Sequence, residues 1–156
     1  MIQRVTTMPV YEVMTRAPIT VAPLTSIPDL IALFDRHDFN AFPVVDDGGI
    51  VRGIVTKLDV LRLLRPDQNF WLPAFAGVSS ARVEDIMRRG VVSVEGTEPV
   101  VVAADLMVET RLRSLPVVQR KPEGPMLVGI VSQGDLLRGL RFELLEANAG
   151  TAESRP

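Results

Sequence analysis

The chain has 156 residues, 47% of them hydrophobic and 23% charged, with a mean hydropathy of +0.23, the profile of a globular protein with a sizeable core rather than a disordered one. A formal charge of −2 and a pI near 5.4 give no overall positive field to hold a phosphate backbone, which disfavours general nucleic-acid binding. The lack of cysteine excludes disulfides, thiolate nucleophiles and cysteine-ligated zinc. Residues 1–10 have no apolar core of signal-peptide length, and apolar runs such as Val100 to Ala104 soon meet a charge such as Asp105, so a cytoplasmic protein without membrane insertion is expected.

In chain order, residues 1–9 are expected to be flexible, and Ile19-Thr20-Val21 reads as a short extended segment. A helix starts near Thr25 or Ser26, with Pro28 and Asp29 in its first turn, and should bury Ile27, Leu30, Ile31 and Phe34 at i, i+3, i+4 and i+7. The β-branched runs Phe42 to Val45 and Val51 to Thr56 predict two strands joined through Asp46-Asp47-Gly48-Gly49, whose glycines permit a tight hairpin. A helix follows from about Leu58 to Leu64. Residues 65–82 form a linker whose Phe70, Trp71, Pro73 and Phe75 read either as a lid over the core or as an interface with a second subunit.

Beyond the linker the pattern recurs. Val100, Ala103, Ala104 and Met107 repeat the helical stripe behind Thr97 and Pro99. A charged, proline-bearing loop is expected from Gln119 to Pro125, then a helix from about Leu136 to Glu146, and a small, polar tail after Ala147 that frays.

The recurrence is a sequence repeat. An offset of 83 − 10 = 73 lays Val10-Tyr11-Glu12-Val13-Met14 on Val83-Glu84-Asp85-Ile86-Met87, Ile19-Thr20-Val21 on Val92-Ser93-Val94, and Ala41 to Val45 on Ser114 to Val118. After a three-residue insertion, Gly53-Ile54-Val55-Thr56-Lys57-Leu58-Asp59 falls on Gly129-Ile130-Val131-Ser132-Gln133-Gly134-Asp135. The copies are bounded at 10–64 and 83–146. One copy alone leaves its apolar strand face poorly covered, and two related halves can cover each other.

These spaced residues resemble the cystathionine-β-synthase-type (CBS) domain family: an opening segment ending in Met, an apolar-Pro-Val-Val strand, then Gly-apolar-apolar-Thr/Ser-x-x-Asp, present twice. The resemblance implies an α/β (α+β) fold of two pseudo-twofold β-α-β-β-α repeats in one compact module, with a cleft between the copies that takes AMP, ADP, ATP or a related adenosine compound, with or without Mg. It also implies homodimerisation through the helices. No cofactor is required, and the effector acts in trans or belongs to a longer parent.

Thr56 with Asp59, and Ser132 with Asp135, each satisfy a capping box, in which hydroxyl and carboxylate close the free N–H groups of a helix start. The same groups suit a nucleotide: helix N–H donors for phosphate and an aspartate that accepts from both ribose hydroxyls, the role the family pattern gives it. The resemblance places Thr20 and Ser93 near adenine or phosphate, and Ala41, Phe42 and Pro43 with Ser114, Leu115 and Pro116 as apolar walls around the base, although core packing explains Phe42 and Leu115 equally well. The resemblance puts Arg113 near where basic residues reach phosphates, whereas the equivalent Asn40 and Ala41 of the first copy offer no positive charge, an asymmetry that favours the cleft Arg113 faces as the phosphate site; Lys57 adds charge at a helix start, and both cations also read as ordinary solvated ones.

An enzyme is not expected. His37, the one histidine, reads as a helix-end residue, no Gly-x-x-x-x-Gly-Lys-Ser/Thr loop is present, and turn chemistry accounts for Asp46-Asp47-Gly48-Gly49 without a cation. The leading reading is a regulatory module that binds an adenosine compound and signals to a partner; the alternative is a dimerisation or docking scaffold in which both boxes are only caps.

Overall fold

The computed structural model describes residues 7–65 and 75–152. In chain order it contains a 3-10 turn (Val10–Glu12), β1 (Thr15–Arg16), α1 (Ile27–Arg36), β2 (Ala41–Val45), β3 (Val51–Thr56), α2 (Lys57–Arg62), α3 (Phe75–Ser80), α4 (Val83–Ile86), β4 (Val94–Glu95), α5 (Val100–Thr110), β5 (Ser114–Lys121), β6 (Gly124–Ser132) and α6 (Gln133–Ala152). This is a mixed α/β fold in which the β-α-β-β-α order occurs twice. No helix among the described residues is long and apolar enough to cross a membrane.

The chain divides into two compact units, one of residues 19–91 with 121–127, the other of residues 1–18, 92–120 and 128–156. Each unit holds the helix and strands of one sequence copy together with the opening segment of the other. In the first unit, β2 and β3 pair antiparallel, Phe42 opposite Val55 and Val44 opposite Gly53, while Val21 bridges Val44 in parallel and Arg88 bridges Ile54 antiparallel. In the second unit the sheet order is β1-β6-β5-β4, with Val94 parallel to Val117 and Thr15 antiparallel to Ile130. The pairs Val21–Val44 and Val94–Val117 are related by the repeat offset, and so are Arg88–Ile54 and Thr15–Ile130, with the later insertion counted.

Two close approaches seat these exchanged segments. A Cβ on Gly53 would lie 2.7 Å from the Met87 sulfur and 2.8 Å from the Arg88 carbonyl; one on Gly129 would lie 2.6 Å from the Met14 sulfur and 2.8 Å from the Thr15 carbonyl. The motif glycine is therefore needed for clearance, and its partner is the methionine that closes the other copy's opening segment. The exchange carries Val83 into the core of Val21, Ile27, Leu30, Phe42, Val44 and Val55, and Val10 into the core of Val94, Ala103, Met107, Leu115, Val117 and Val131.

Local signals set the helix ends. Ser26 caps α1, its hydroxyl accepting from the Asp29 N–H at 3.2 Å, with Pro28 in the first turn. Ile27 and Leu30 are buried as the stripe predicts, each worth about 1.5–3 kcal/mol. Ile31 is not: it is 49% exposed, because the apolar stripe is wider than the face the strands cover. The Asp46 turn forms as expected, Asp46 Oδ1 accepting from the Gly48 and Ile50 N–H groups, with Gly49 at φ +78°. Foremost the Ile50 N–H, then Arg52 and the Gly48 N–H, hold the Asp46 carboxyl below the usual carboxylate range against the opposing effect of desolvation.

Three further expectations are corrected. Gln119 to Lys121 and Gly124 to Pro125 are strand, with only Pro122 and Glu123 turning, since exposed polar residues are compatible with a hairpin that extends beyond the core. Residues 7–9 are tied down rather than loose: the Met8 carbonyl accepts from the Val100 N–H at 2.8 Å and Pro9 bridges Pro99. The tail after Ala147 continues as helix to Ala152, although Asn148, Gly150 and Thr151 are weak helix formers. Phe70, Trp71 and Pro73, with the Phe75 side chain, lie outside the described residues, as do 1–6 and 153–156.

Helix α5 ends at Arg111 in the left-handed region, φ 60°, where glycine is the usual residue. Arg111→Gly is expected to stabilise the chain by about 0.5–1 kcal/mol, read as a higher urea midpoint at unchanged slope. A lower midpoint would show that the arginine side chain contributes more than its backbone strain costs.

Candidate functional site

Each Thr/Ser-x-x-Asp motif is a complete capping box at the end of a strand that runs directly into a helix. In the first unit, Asp59 Oδ2 accepts from the Thr56 N–H (2.9 Å) and hydroxyl (2.8 Å), and Thr56 Oγ1 accepts from the Asp59 N–H (3.2 Å). In the second, Asp135 Oδ2 accepts from the Ser132 N–H (2.8 Å) and hydroxyl (2.9 Å), and Ser132 Oγ accepts from the Asp135 N–H (3.1 Å). The next helix donor is used alike in both: Lys57 N–H to the Asn40 carbonyl (3.2 Å), and Gln133 N–H to the Arg113 carbonyl (2.9 Å). The aspartates are 3% and 6% exposed, the two charged residues buried among the described ones.

Burying a carboxylate requires partners for both of its oxygens. The second oxygen of each is held by arginines. Asp59 Oδ1 accepts from Arg62 and from Arg88 Nε at 3.3 Å; Asp135 Oδ1 accepts from Arg138. Sequence reasoning missed all three. The spacing Asp-x-x-Arg in both copies was available as a signal for Arg62 and Arg138. Arg88 carried none, being 29 residues from Asp59 and delivered by the exchanged opening segment, where its N–H and carbonyl each bond Ile54 at 2.9 Å.

The remaining residues singled out in the sequence divide between the units. Ala41 pairs with Thr56, and the Val21 N–H bonds the Pro43 carbonyl at 3.1 Å, so Thr20, Ala41, Phe42, Pro43, Thr56, Lys57 and Asp59 collect at one end of the first unit. Ser93, Arg113, Ser114, Leu115, Pro116, Ser132 and Asp135 belong to the second, where Ser93 precedes the Val94–Val117 pair and Arg113 adjoins the helix start through its carbonyl. Phe42 and Leu115 are 0% exposed and Pro43 and Pro116 are buried, so these side chains serve the core and have no surface to offer as walls. The half-buried Ala41 and Ser114, and Thr20 and Ser93, keep some surface.

Phe42 lies against Phe34, ring centroids 4.8 Å apart, and His37 stacks on Phe39 at 5.4 Å, which places the histidine in an aromatic cluster at the helix end. The Lys57 ammonium sits 5.9 Å from the Phe34 ring centre, a cation–π contact, and Arg113 is exposed. No cluster of three or more His, Asp or Glu able to hold a metal ion occurs among the described residues. The second unit also has an apolar hollow of about 440 Å³ between α5 and α6, lined by Val101, Ala104, Val108, Leu136, Leu137 and Leu140.

The protein MJ1225 of Methanocaldococcus jannaschii is 30% identical over 130 residues, a match covering 81% of this chain; the chain spans 45% of that relative's length. Among solved structures, CBSX2 in complex with AMP superposes with a TM-score of 0.72 at 29% identity, covering 86% of this chain and 98% of the other. The CBS domain pair of protein MJ0100, in complex with 5-methylthioadenosine and S-adenosyl-L-methionine, superposes with a TM-score of 0.68 at 28% identity, covering 87% and 98%. The CBS domain model matches residues 10–66 and again 83–141. With both matches falling on the two sequence copies, and with the copies' opening segments, strands and capping boxes repeating pair for pair, the chain belongs to the CBS domain family.

Proposed function

We propose that this chain is a regulatory module that binds an adenosine compound, such as AMP, ADP or ATP, at its Thr56–Asp59 and Ser132–Asp135 motifs and signals the binding to a partner. The observation that carries this reading is the pair of buried aspartates, each beside a hydroxyl at a helix start, in a chain similar to CBS pairs solved with AMP and with S-adenosyl-L-methionine. A carboxylate there is suited to a ribose diol, and the hydroxyls and exposed cations near it to phosphate. The ligand acts by differential affinity, since equal affinity for two packings would shift nothing.

The module works as a homodimer in the cytoplasm, with its effector in trans or in a longer parent. The dimer is supported by the exposed apolar side chains of α1, α2, α5 and α6, among them Ile31, Leu58, Leu61, Val108 (78% exposed) and Leu137. The scaffold reading retains one specific support: every hydrogen bond of both capping boxes joins groups of the chain itself.

Differential scanning fluorimetry with AMP, ADP, ATP and S-adenosylmethionine separates the two. At ligand a hundredfold above Kd the stabilisation is about 2.7 kcal/mol, a rise in Tm of roughly 5–10 °C. That rise should be lost in Asp59→Ala or Asp135→Ala, whichever motif is occupied. A flat response to every adenosine compound leaves the scaffold.

A further inference from the structure

The two motifs share a capping box and differ in how the aspartate is held. A carboxylate offers about four lone-pair positions. At Asp59 all four are taken: two by Thr56 on Oδ2, one each by Arg62 and Arg88 on Oδ1. At Asp135 three are taken among the described residues, two by Ser132 and one by Arg138. The difference comes from the exchanged segments, because the position equivalent to Arg88 is Thr15, which brings no charge to Ile130. Counting formal charges, the first cluster is −1 + 2 = +1 and the second −1 + 1 = 0.

Resting on the ligand-binding reading above, we infer that Arg62 and Arg88 make the Asp59 motif selective for a phosphorylated adenosine compound over the uncharged nucleoside. A ribose diol donates hydrogen bonds, so it reaches Asp59 only by removing guanidinium from Oδ1. Removing a cation from a buried carboxylate is costly unless an anion receives it. A phosphate does so, and the planar guanidinium fork matches it. Arg62 and Arg88 are placed for the exchange: their side chains are 50% and 48% exposed, so the heads can swing, while the Arg88 backbone stays clamped to Ile54. At Asp135 a diol meets an acceptor position that the described residues leave open, so no guanidinium has to move first.

The test is isothermal titration calorimetry of the full chain with AMP and with adenosine, in an Asp135→Asn background that disables the second motif. AMP should bind roughly tenfold or more tightly than adenosine. Adding Arg88→Gln should bring the two within about threefold, adenosine tightening because one acceptor position is freed and AMP weakening because one guanidinium is lost. Arg62→Gln should move the ratio the same way, so misfolding of one variant leaves the other decisive. An AMP-to-adenosine ratio unchanged by both substitutions overturns the inference, as does equal binding of the two ligands in the Asp135→Asn parent. Binding to the wild-type chain that vanishes in that parent overturns it as well and leaves the functional reading standing. Failure of the wild-type chain to bind either ligand overturns both.

Discussion

Gly129→Ala is expected to cost about 1–3 kcal/mol and to lower Tm by roughly 3–10 °C, one of the two largest effects among single substitutions in this chain. The added Cβ would lie 2.6 Å from the Met14 sulfur and 2.8 Å from the Thr15 carbonyl. The sulfur ends a flexible side chain and can move. The carbonyl cannot move without opening β1, which pairs Thr15 with Ile130 and Arg16 with Gly129. The double variant Gly129→Ala/Met14→Ala should therefore recover only part of the loss, and Gly53→Ala should behave similarly against Met87 and Arg88. Thermal melts of the four chains decide it. If Gly129→Ala melts with the wild type, the opening segment is not seated on that glycine, and the exchange of segments between copies loses its physical basis.

That exchange was not legible in the sequence, for a physical reason. Because both copies carry the same Met and the same Gly, a pairing of Met14 with Gly53 offers the same chemistry as the observed pairing with Gly129; self-similarity reveals equivalent residues and not which equivalents touch. Local grammar was legible: Ser26 as a cap, the Asp46 turn, the strand limits Val51 and Thr56, and both capping boxes. Where the sequence reading failed, tertiary context decided. Ile31 has the periodicity of a core residue yet is half-exposed, and Gln119 to Lys121 have the polarity of a loop and the pairing of a hairpin. At the candidate site, the aspartates and hydroxyls followed from spacing, whereas Arg88 depended on a contact across 29 residues that no window of sequence contains.

Asp59→Ala is the second large effect, expected at about 1–4 kcal/mol. Removing the carboxylate keeps the bond from the residue-59 N–H to Thr56 Oγ1 but takes the acceptor from the half-buried Thr56 N–H and hydroxyl, at about 1–3 kcal/mol. The two half-exposed arginine contacts add little, about 0–1 kcal/mol, because solvent replaces them. Asp135→Ala should cost slightly less, having one arginine fewer. Urea unfolding at constant slope measures both. A consequence follows for ligand binding: a lower melting temperature in either variant says nothing about nucleotide, and only the ligand-dependent increment, compared within each variant, reports on the site. Should Asp59→Ala instead lie within about 0.5 kcal/mol of the wild type, the cap contributes no measurable stability. A buried carboxylate with four hydrogen bonds would then have no structural justification, and ligand binding would be the explanation left for it.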